Sequence, residues 1–394
     1  MSTKLDIFLA VHYLHFITFH RRIIMERSPY KKRLKDLIKG FEKKNIDMLW
    51  IVQPENRQYL SGFMANDTQL NESSGSLLIS PKKALLITDS RYMLVAEREA
   101  PDFRVITQKG TFPDEFVKEV ERAGFKTIGF EGDHVTFSLY KEISARLKRI
   151  KTPVKMKNIS GMIEKMREIK DASEIALMER ASHMMSEVLD RVIEYVKPGQ
   201  TEKEIARMIQ DISIEAGADG MAFESIVASG PNAALPHAVP TNRRIKKRDH
   251  ITFDVGLKLN GYCCDMTRTV FIGKPERKIK EIYKIVREAQ LAALEFVKPV
   301  ELSTKPDSIA REIISDAGYG SFFGHSLGHG VGLATHEAPR LSPRNPVKLI
   351  EGMVVTVEPG IYLPGTGGVR LEEMVVIEKS GPRILTKNSR YYDF

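Results

Sequence analysis

Short apolar segments alternate with helical patterns along the first part of the chain. IDMLWIVQ, GSLLISP, KALLITD, FRVITQ and KTIGFEG are apolar or alternating runs bounded by turn-rich sequence, and they predict strands. Apolar positions at helical spacing predict helices over about 31–44, 91–99, 112–123 and 137–148. Strands interleaved with helices predict an α/β domain over residues 29–158. Within it, KNIDMLWIVQPENRQYLSG matches no complete phosphate loop and reads as scaffold or as a wall of substrate access.

The charged segment 164–174 then leads into a long helical run, ASEIALMERASHMMSEVLDRVIEYV. Asp171 and Glu174 have capping-box spacing, with Ser173 as a competing start. Met178, Met184, Met185, Leu189, Ile193 and Val196 fall at approximate packing positions and read as core. Gly199 ends this helix, and Thr201 and Glu204 open the next with the same capping spacing. Further helices are expected at about 276–297 and 305–317, with β patterning at 251–257, 262–271, 353–358 and 369–378. Residues 159–394 therefore read as an α+β domain whose chemistry sits in its sheets.

Composition narrows the class. At 394 residues, 42% apolar and 28% charged, the chain has the length for two domains and the make-up of a globular protein. The formal charge of +9 raises nucleic acid as a partner, but the basic residues are spread along the chain and alternate with acids. RSPYKKRLKDLIKGFEKK reads as a basic amphipathic helix, and no nucleic-acid binding is expected. Cys263 and Cys264 are adjacent and are the only cysteines, so they link no distant loops; a reducing, cytoplasmic setting is expected. Residues 1–28 form an N-terminal extension in which FLAVHYLHFITF is shorter than the roughly 20 residues that span a bilayer. No cleavage pattern follows it, so neither a targeting role nor stable membrane association is expected.

Five potential metal ligands stand out in the second half: Asp254, Asp265, His329, Glu358 and Glu372. Four carboxylates and one imidazole suit a pair of hard or borderline divalent ions better than one closed structural zinc. A hairpin turning at Asn260 and Gly261 places Asp254 opposite Thr267, so Asp254 and Asp265 project from one side, diagonally across the strands. Close carboxylates of this kind repel unless cations compensate them. His329 lies between Gly328 and Gly330, where small neighbours let backbone pass close by; alone, the same pattern describes a glycine-rich turn. Glu358 ends the apolar run MVVTV before Pro359, and Glu372 precedes the alternating EMVVIE segment. A second strand pair can thus bring two more carboxylates to the same cleft.

Taken in order, ASGPNAALPHA, DVGLKLNGYCCDMTRTVFIG, GHSLGHGVGLATHEAPRLSP, MVVTVEPGIYLPG and GGVRLEE resemble metallopeptidase family M24, the creatinase and methionine-aminopeptidase superfamily. Within it, the resemblance is nearest to Xaa-Pro dipeptidase (prolidase) and aminopeptidase P. It implies an α+β pita-bread catalytic domain preceded by a smaller creatinase-type α/β domain. It also implies two divalent ions per subunit, manganese or cobalt in the first instance with zinc or iron as alternatives, and a homodimer. The five ligands map onto the family set, with Asp265 and Glu372 as the bridging carboxylates and His329 and Glu358 on the second ion. The implied reaction is hydrolysis of the Xaa–Pro bond of a proline-containing peptide, with Glu358 carrying the released proton to the proline nitrogen. Proline supplies a tertiary amide, so recognition cannot use a scissile N–H.

His237 and His336 align with histidines that contact the substrate or intermediate. His325 is expected at the oxyanion or behind the ligands. Arg370 is expected to orient Glu372 or meet a substrate carboxylate, or else to pair with Glu373 at the surface. Tyr362 closes the pocket through its hydroxyl or packs as an ordinary aromatic. Cys263 and Cys264 read as small strand residues, not ligands. One departure is Ala334, where the resemblance leads one to expect glutamate or another larger residue. The leading expectation is a dipeptidase; the alternatives are an aminopeptidase acting on longer peptides and a non-peptidase hydrolase on the same scaffold.

Overall fold

The architecture is that of a computed structural model, which describes residues 29–65, 67, 69, 72–388 and 390–394. The extension at 1–28 lies outside the described residues. Two compact units divide the chain between Ile163 and Glu164.

The first unit is built from α1 (Pro29–Lys44), β1 (Met48–Ile51), α2 (Pro54–Ser61), β2 (Ser76–Ile79), β3 (Ala84–Thr88), α3 (Met93–Glu99), β4 (Arg104–Thr107), α4 (Phe112–Ala123), β5 (Thr127–Phe130), α5 (Phe137–Leu147) and β6 (Lys155–Asn158). Its six strands form one mixed sheet in the order β4-β3-β2-β1-β5-β6. The near-continuous apolar runs of β1, β2 and β3 follow from burial of nearly every position in them. Trp50 and Phe116 pack at 4.9 Å between ring centroids in its core. PENRQYLSG, which carries little apolar periodicity, forms α2; its start is held by buried Glu131, which accepts from the backbone N of Val52 and Gln53.

After α6 (Met162–Arg167), the second unit continues with α7 (Ala172–Tyr195), α8 (Glu202–Glu215), β7 (Gly220–Met221), β8 (Ile226–Ser229), β9 (His250–Val255), β10 (Leu257–Leu259), β11 (Tyr262–Cys263) and β12 (Met266–Phe271). There follow α9 (Arg277–Leu294), α10 (Thr304–Asp316), β13 (Gly328–Gly330), β14 (Glu337–Leu341), β15 (Val354–Val357), β16 (Gly360–Leu363), β17 (Gly367–Arg370), β18 (Glu373–Glu378) and β19 (Gly381–Ile384). Both expected capping boxes form: Asp171 with Glu174, and Thr201 with Glu204. Asp171, not Ser173, is therefore the first cap. Along α7, Met178, Met185 and Leu189 are buried as expected, whereas Val188 and Val192 take the inward positions assigned to Met184 and Ile193.

Two antiparallel layers position the chemistry. One is the three-stranded sheet β12-β9-β8, and the other is the five-stranded sheet β14-β13-β15-β18-β19. The long strands expected at 251–257 and 262–271 are each broken, into β9 with β10 and β11 with β12. The break falls at Gly256, where a Cβ would sit 2.2 Å from the carbonyl oxygen of Cys264. The register nevertheless runs through it: Asp254 pairs with Thr267, and Leu259 pairs with Tyr262. Asn260 and Gly261 have φ of 49° and 78°, the left-handed conformation that a two-residue hairpin turn requires.

Candidate metal centre and active site

Each carboxylate owes its position to a strand end. Asp254 lies on β9 opposite Thr267 of β12, and Asp265 is two residues before Thr267 on the same face. In the second layer Val357 pairs with Glu373, so Glu358 and Glu372 follow and precede the paired positions as neighbours across β15 and β18. Thr267 joins the layers: its carbonyl accepts from Glu372 N at 3.1 Å, and its hydroxyl donates to Glu372 Oε2 at 2.8 Å.

His329 is on a strand, not in a glycine-rich turn. Gly328 and Gly330 flank it because β13 is squeezed between its neighbours. A Cβ on Gly328 would lie 1.9 Å from Thr356 O, and one on Gly330 would lie 2.3 Å from Ala338 O. Its Nδ1 is hydrogen-bonded with Gly330 O at 3.0 Å, leaving Nε2 directed at the acids. That nitrogen stands 3.3 Å from Glu358 Oε1 and 3.7 Å from Asp265 Oδ2. Donor atoms of Asp265, His329 and Glu372 all lie within 4.8 Å of one another. The remaining two members are engaged separately: Glu358 also accepts from Thr356 Oγ1 at 3.1 Å, and Asp254 is held by Arg370.

The acids are uneasy together. Burial pushes Asp265 well above the usual carboxylate range, and the charges of Glu372, Asp254 and Glu358 push it further. Glu372 is raised in the same way, by burial and then by Glu358 and Asp254. Burial acts on Glu358 too, but the hydrogen bond and charge of His329 outweigh it and bring Glu358 down to about 2. Asp265 Oδ1 is buried with no hydrogen-bond partner. A hard, buried oxygen without a donor, among acids that repel one another, fits divalent cations and is costly without them.

Arg370 differs from its expected pairings. Its Nη2 donates to Asp254 Oδ2 at 2.6 Å, its Nη1 to Tyr362 Oη at 2.8 Å and to Pro236 O at 3.2 Å, and its Nε to Thr267 Oγ1 at 3.2 Å. Among the described residues its hydrogen bonds do not reach Glu372 or Glu373; Glu373 instead pairs with buried Arg268. The reason is register, since Arg370 ends β17 and points under β9 while the chain turns before β18. Tyr362 is buried, and its hydroxyl also meets His325 Nε2 at 2.8 Å, so it acts through a polar contact as well as packing. Burial raises its pKa to about 12, keeping it protonated, and lowers that of His325.

His237 and His336 are exposed on the wall of a cavity of about 930 Å³ whose lining includes all five carboxylate and imidazole groups. The rings of His329 and His336 meet edge to face at 4.3 Å. Burial and then the charge of His329 lower the pKa of His336. Cys263 and Cys264 are buried outside the cavity lining. Four contributors escaped the sequence reading: Thr267, Thr356 and the arginines Arg340 and Arg344 at the cavity wall. The threonines had a signal, since each is a polar residue two positions from an acid in an apolar strand. The arginines, Arg340 on β14 and Arg344 in the loop after it, carry no such pattern.

A family profile described as the Creatinase/Prolidase N-terminal domain matches residues 33–169, and one described as Metallopeptidase family M24 matches 176–379. The chain is 38% identical over 359 residues to a Xaa-Pro dipeptidase from Pyrococcus horikoshii, covering 91% of this chain and 98% of that one. Its structure is similar to that of a Xaa-Pro dipeptidase from Bacillus anthracis, with a TM-score of 0.86, 36% identity, and coverage of 92% and 99%. It is also similar to an X-Pro aminopeptidase from Thermotoga maritima, with a TM-score of 0.82, 40% identity, and coverage of 91% and 99%. A divalent-metal centre is the property implied by the family and by the cluster alike. No helix among the described residues is long and apolar enough to cross a membrane. With a creatinase-type N-terminal domain followed by an α+β catalytic domain of the pita-bread type, the chain belongs to metallopeptidase family M24.

Proposed function

We propose that this protein hydrolyses the bond between an N-terminal residue and proline in dipeptides, using two divalent metal ions. The observation that carries the reading is the set of four carboxylates and one imidazole, three of them buried and Asp254 and Glu358 half-buried, with its unpartnered Asp265 oxygen, opening onto a cavity. Asp254, Asp265, His329, Glu358 and Glu372 would hold the ions, with manganese or cobalt the first candidates. Such ions supply Lewis acidity and a water nucleophile at neutral pH.

The chain's own groups do the rest. Glu358, ionised at neutral pH, takes up the proton released by the attacking water and delivers it to the proline nitrogen. His237 and His336, from two separate stretches of the chain, both line the cavity and donate to the substrate's oxygens. Arg370 orients Asp254, and Tyr362, itself hydrogen-bonded with His325, fixes the guanidinium.

The length of the peptide is the point at which two activities part. Arg340 and Arg344 are exposed on the cavity wall, where a guanidinium can accept the terminal carboxylate of a dipeptide. An aminopeptidase acting on longer chains has no need of that charge. Manganese-loaded protein should therefore cleave an alanyl-proline dipeptide in preference to the same sequence extended by one residue. Preference for the tripeptide would replace this reading with an aminopeptidase, and failure on both at full metal occupancy would leave a non-peptidase hydrolase.

A further inference from the structure

Glu202 is fully buried at the first position of α8, and the chemistry proposed above makes no use of it. Its Oε1 accepts from Ser229 N at 2.8 Å, Ser229 Oγ at 2.6 Å and Asn232 Nδ2 at 3.1 Å. Its Oε2 accepts from Thr241 N at 2.9 Å, Thr241 Oγ1 at 2.6 Å and the same Asn232 nitrogen at 3.1 Å. Ser229 ends β8, and Thr241 lies on the returning chain before β9. One carboxylate therefore ties together the two ends of the segment 229–241.

That segment carries His237 to the cavity. Around it, Leu235 is 59% and Val239 63% exposed, and the apolar packing of the segment rests on two small side chains, Ala233 and Ala238, clustered with Ile226 and Ala228. The backbone adds a second clamp at the base, Lys203 N to Thr241 O and Glu202 N to Arg243 O, both at 3.2 Å. Nearer the tip, Arg370 donates to the carbonyl of Pro236, the residue before His237.

Helix capping does not account for Glu202. The first turn of α8 is already served by Thr201 and Glu204, which bond reciprocally as a capping box. Burial alone would raise the carboxyl pKa, yet the Ser229 and Thr241 donors outweigh it and hold Glu202 below its ordinary value. A glutamine could not replace it: an amide accepts at one end only, and its nitrogen would face donors at the other.

We propose that Glu202 is the positioning residue for His237, fixing the base of the 229–241 loop so that the imidazole is held against the substrate. This rests on the substrate contact assigned to His237 above. The test is a double-mutant cycle on the full chain loaded with manganese, using alanyl-proline as substrate. Glu202→Gln and His237→Ala should each lower kcat/KM by about 10- to 100-fold, with manganese content unchanged. The double variant should fall within about twofold of His237→Ala alone, because the glutamate acts through the histidine.

If Glu202→Gln costs tenfold or more again in the His237→Ala background, the inference is wrong and the residue serves the fold at large. If His237→Ala retains full activity, the substrate contact itself is wrong and the inference goes with it. Should Glu202→Gln fail to fold, Thr241→Val removes one hydroxyl donor from Oε2 in its place. Its expected loss is smaller, about 3- to 10-fold, with the same non-additivity.

Discussion

Single charged groups in the catalytic unit are held by a few short contacts, and that makes their removal informative. Glu337, next to His336, accepts from Arg167, from Lys170 at 3.1 Å and from Ala334 N at 3.0 Å, and all three charged side chains are nearly inaccessible. Burial would raise its pKa, but Lys170 and Arg167 prevail and lower it below 4.5. A depressed folded pKa means stability that is present above the unfolded value and lost as pH falls through the folded one. Glu337→Gln leaves two cations buried without their partner, at a cost of about 3–5 kcal/mol near neutrality. In urea unfolding the gap between variant and parent should be largest near neutral pH and close as pH falls below the ordinary glutamate value; a gap independent of pH would refute the ion-pair account. Arg370→Lys tests a different dependence, since a lysine cannot bridge Asp254, Tyr362 and Pro236 O together. Manganese affinity, measured by calorimetric titration, should fall by about 10- to 100-fold, and the metal-free protein should lose about 1–3 kcal/mol of stability because buried acceptors are left without their donor.

At the scale of elements, legibility followed local chemistry. The Asn260–Gly261 hairpin could be read with its register because two residues that tolerate positive φ sit between alternating strands. The capping boxes of α7 and α8 were equally visible, since their spacing is set by the helix itself. β13 was not visible: three residues with two glycines carry no strand signal, and the sheet around GHG makes them a strand. α2 escaped for a related reason, as its inward face includes polar Asn56 and Arg57, which hydrogen-bond in place of apolar packing. The partner of Arg370 depended on two strands distant in sequence, which no local pattern encodes. The tightness of β13 yields a prediction that local sequence would not. In Gly328→Ala the new methyl meets the Thr356 carbonyl at 1.9 Å, and backbone, unlike a flexible side chain, cannot swing away. The strand must shift and carry His329 with it. A loss of about 1–3 kcal/mol in stability should accompany weaker manganese binding, and unchanged metal affinity would show that His329 is not placed by this contact.

At the scale of the whole molecule, all five proposed ligands and the cavity lie in the unit Glu164–Phe394. Mutual repulsion of Asp265 and Glu372 with their neighbours is a standing cost in the metal-free fold, and cations that bind the folded state alone convert it into stabilisation. One ion at about 100 times its dissociation constant adds about 2.7 kcal/mol. For a unit of this length each kcal/mol is worth about 2–4 °C, so manganese should raise the calorimetric transition by at least about 5–10 °C. A chelator should reverse the shift, and Asp265→Asn should abolish most of it. The same sample carries an internal reporter, because Trp50, the only tryptophan, is buried in the first unit, which contributes none of these ligands. Its fluorescence during the melt separates stabilisation confined to the ligand-bearing unit from stabilisation of the chain as a whole. A calorimetric transition that stays fixed at saturating manganese would defeat the proposed metal centre, whatever the fluorescence does.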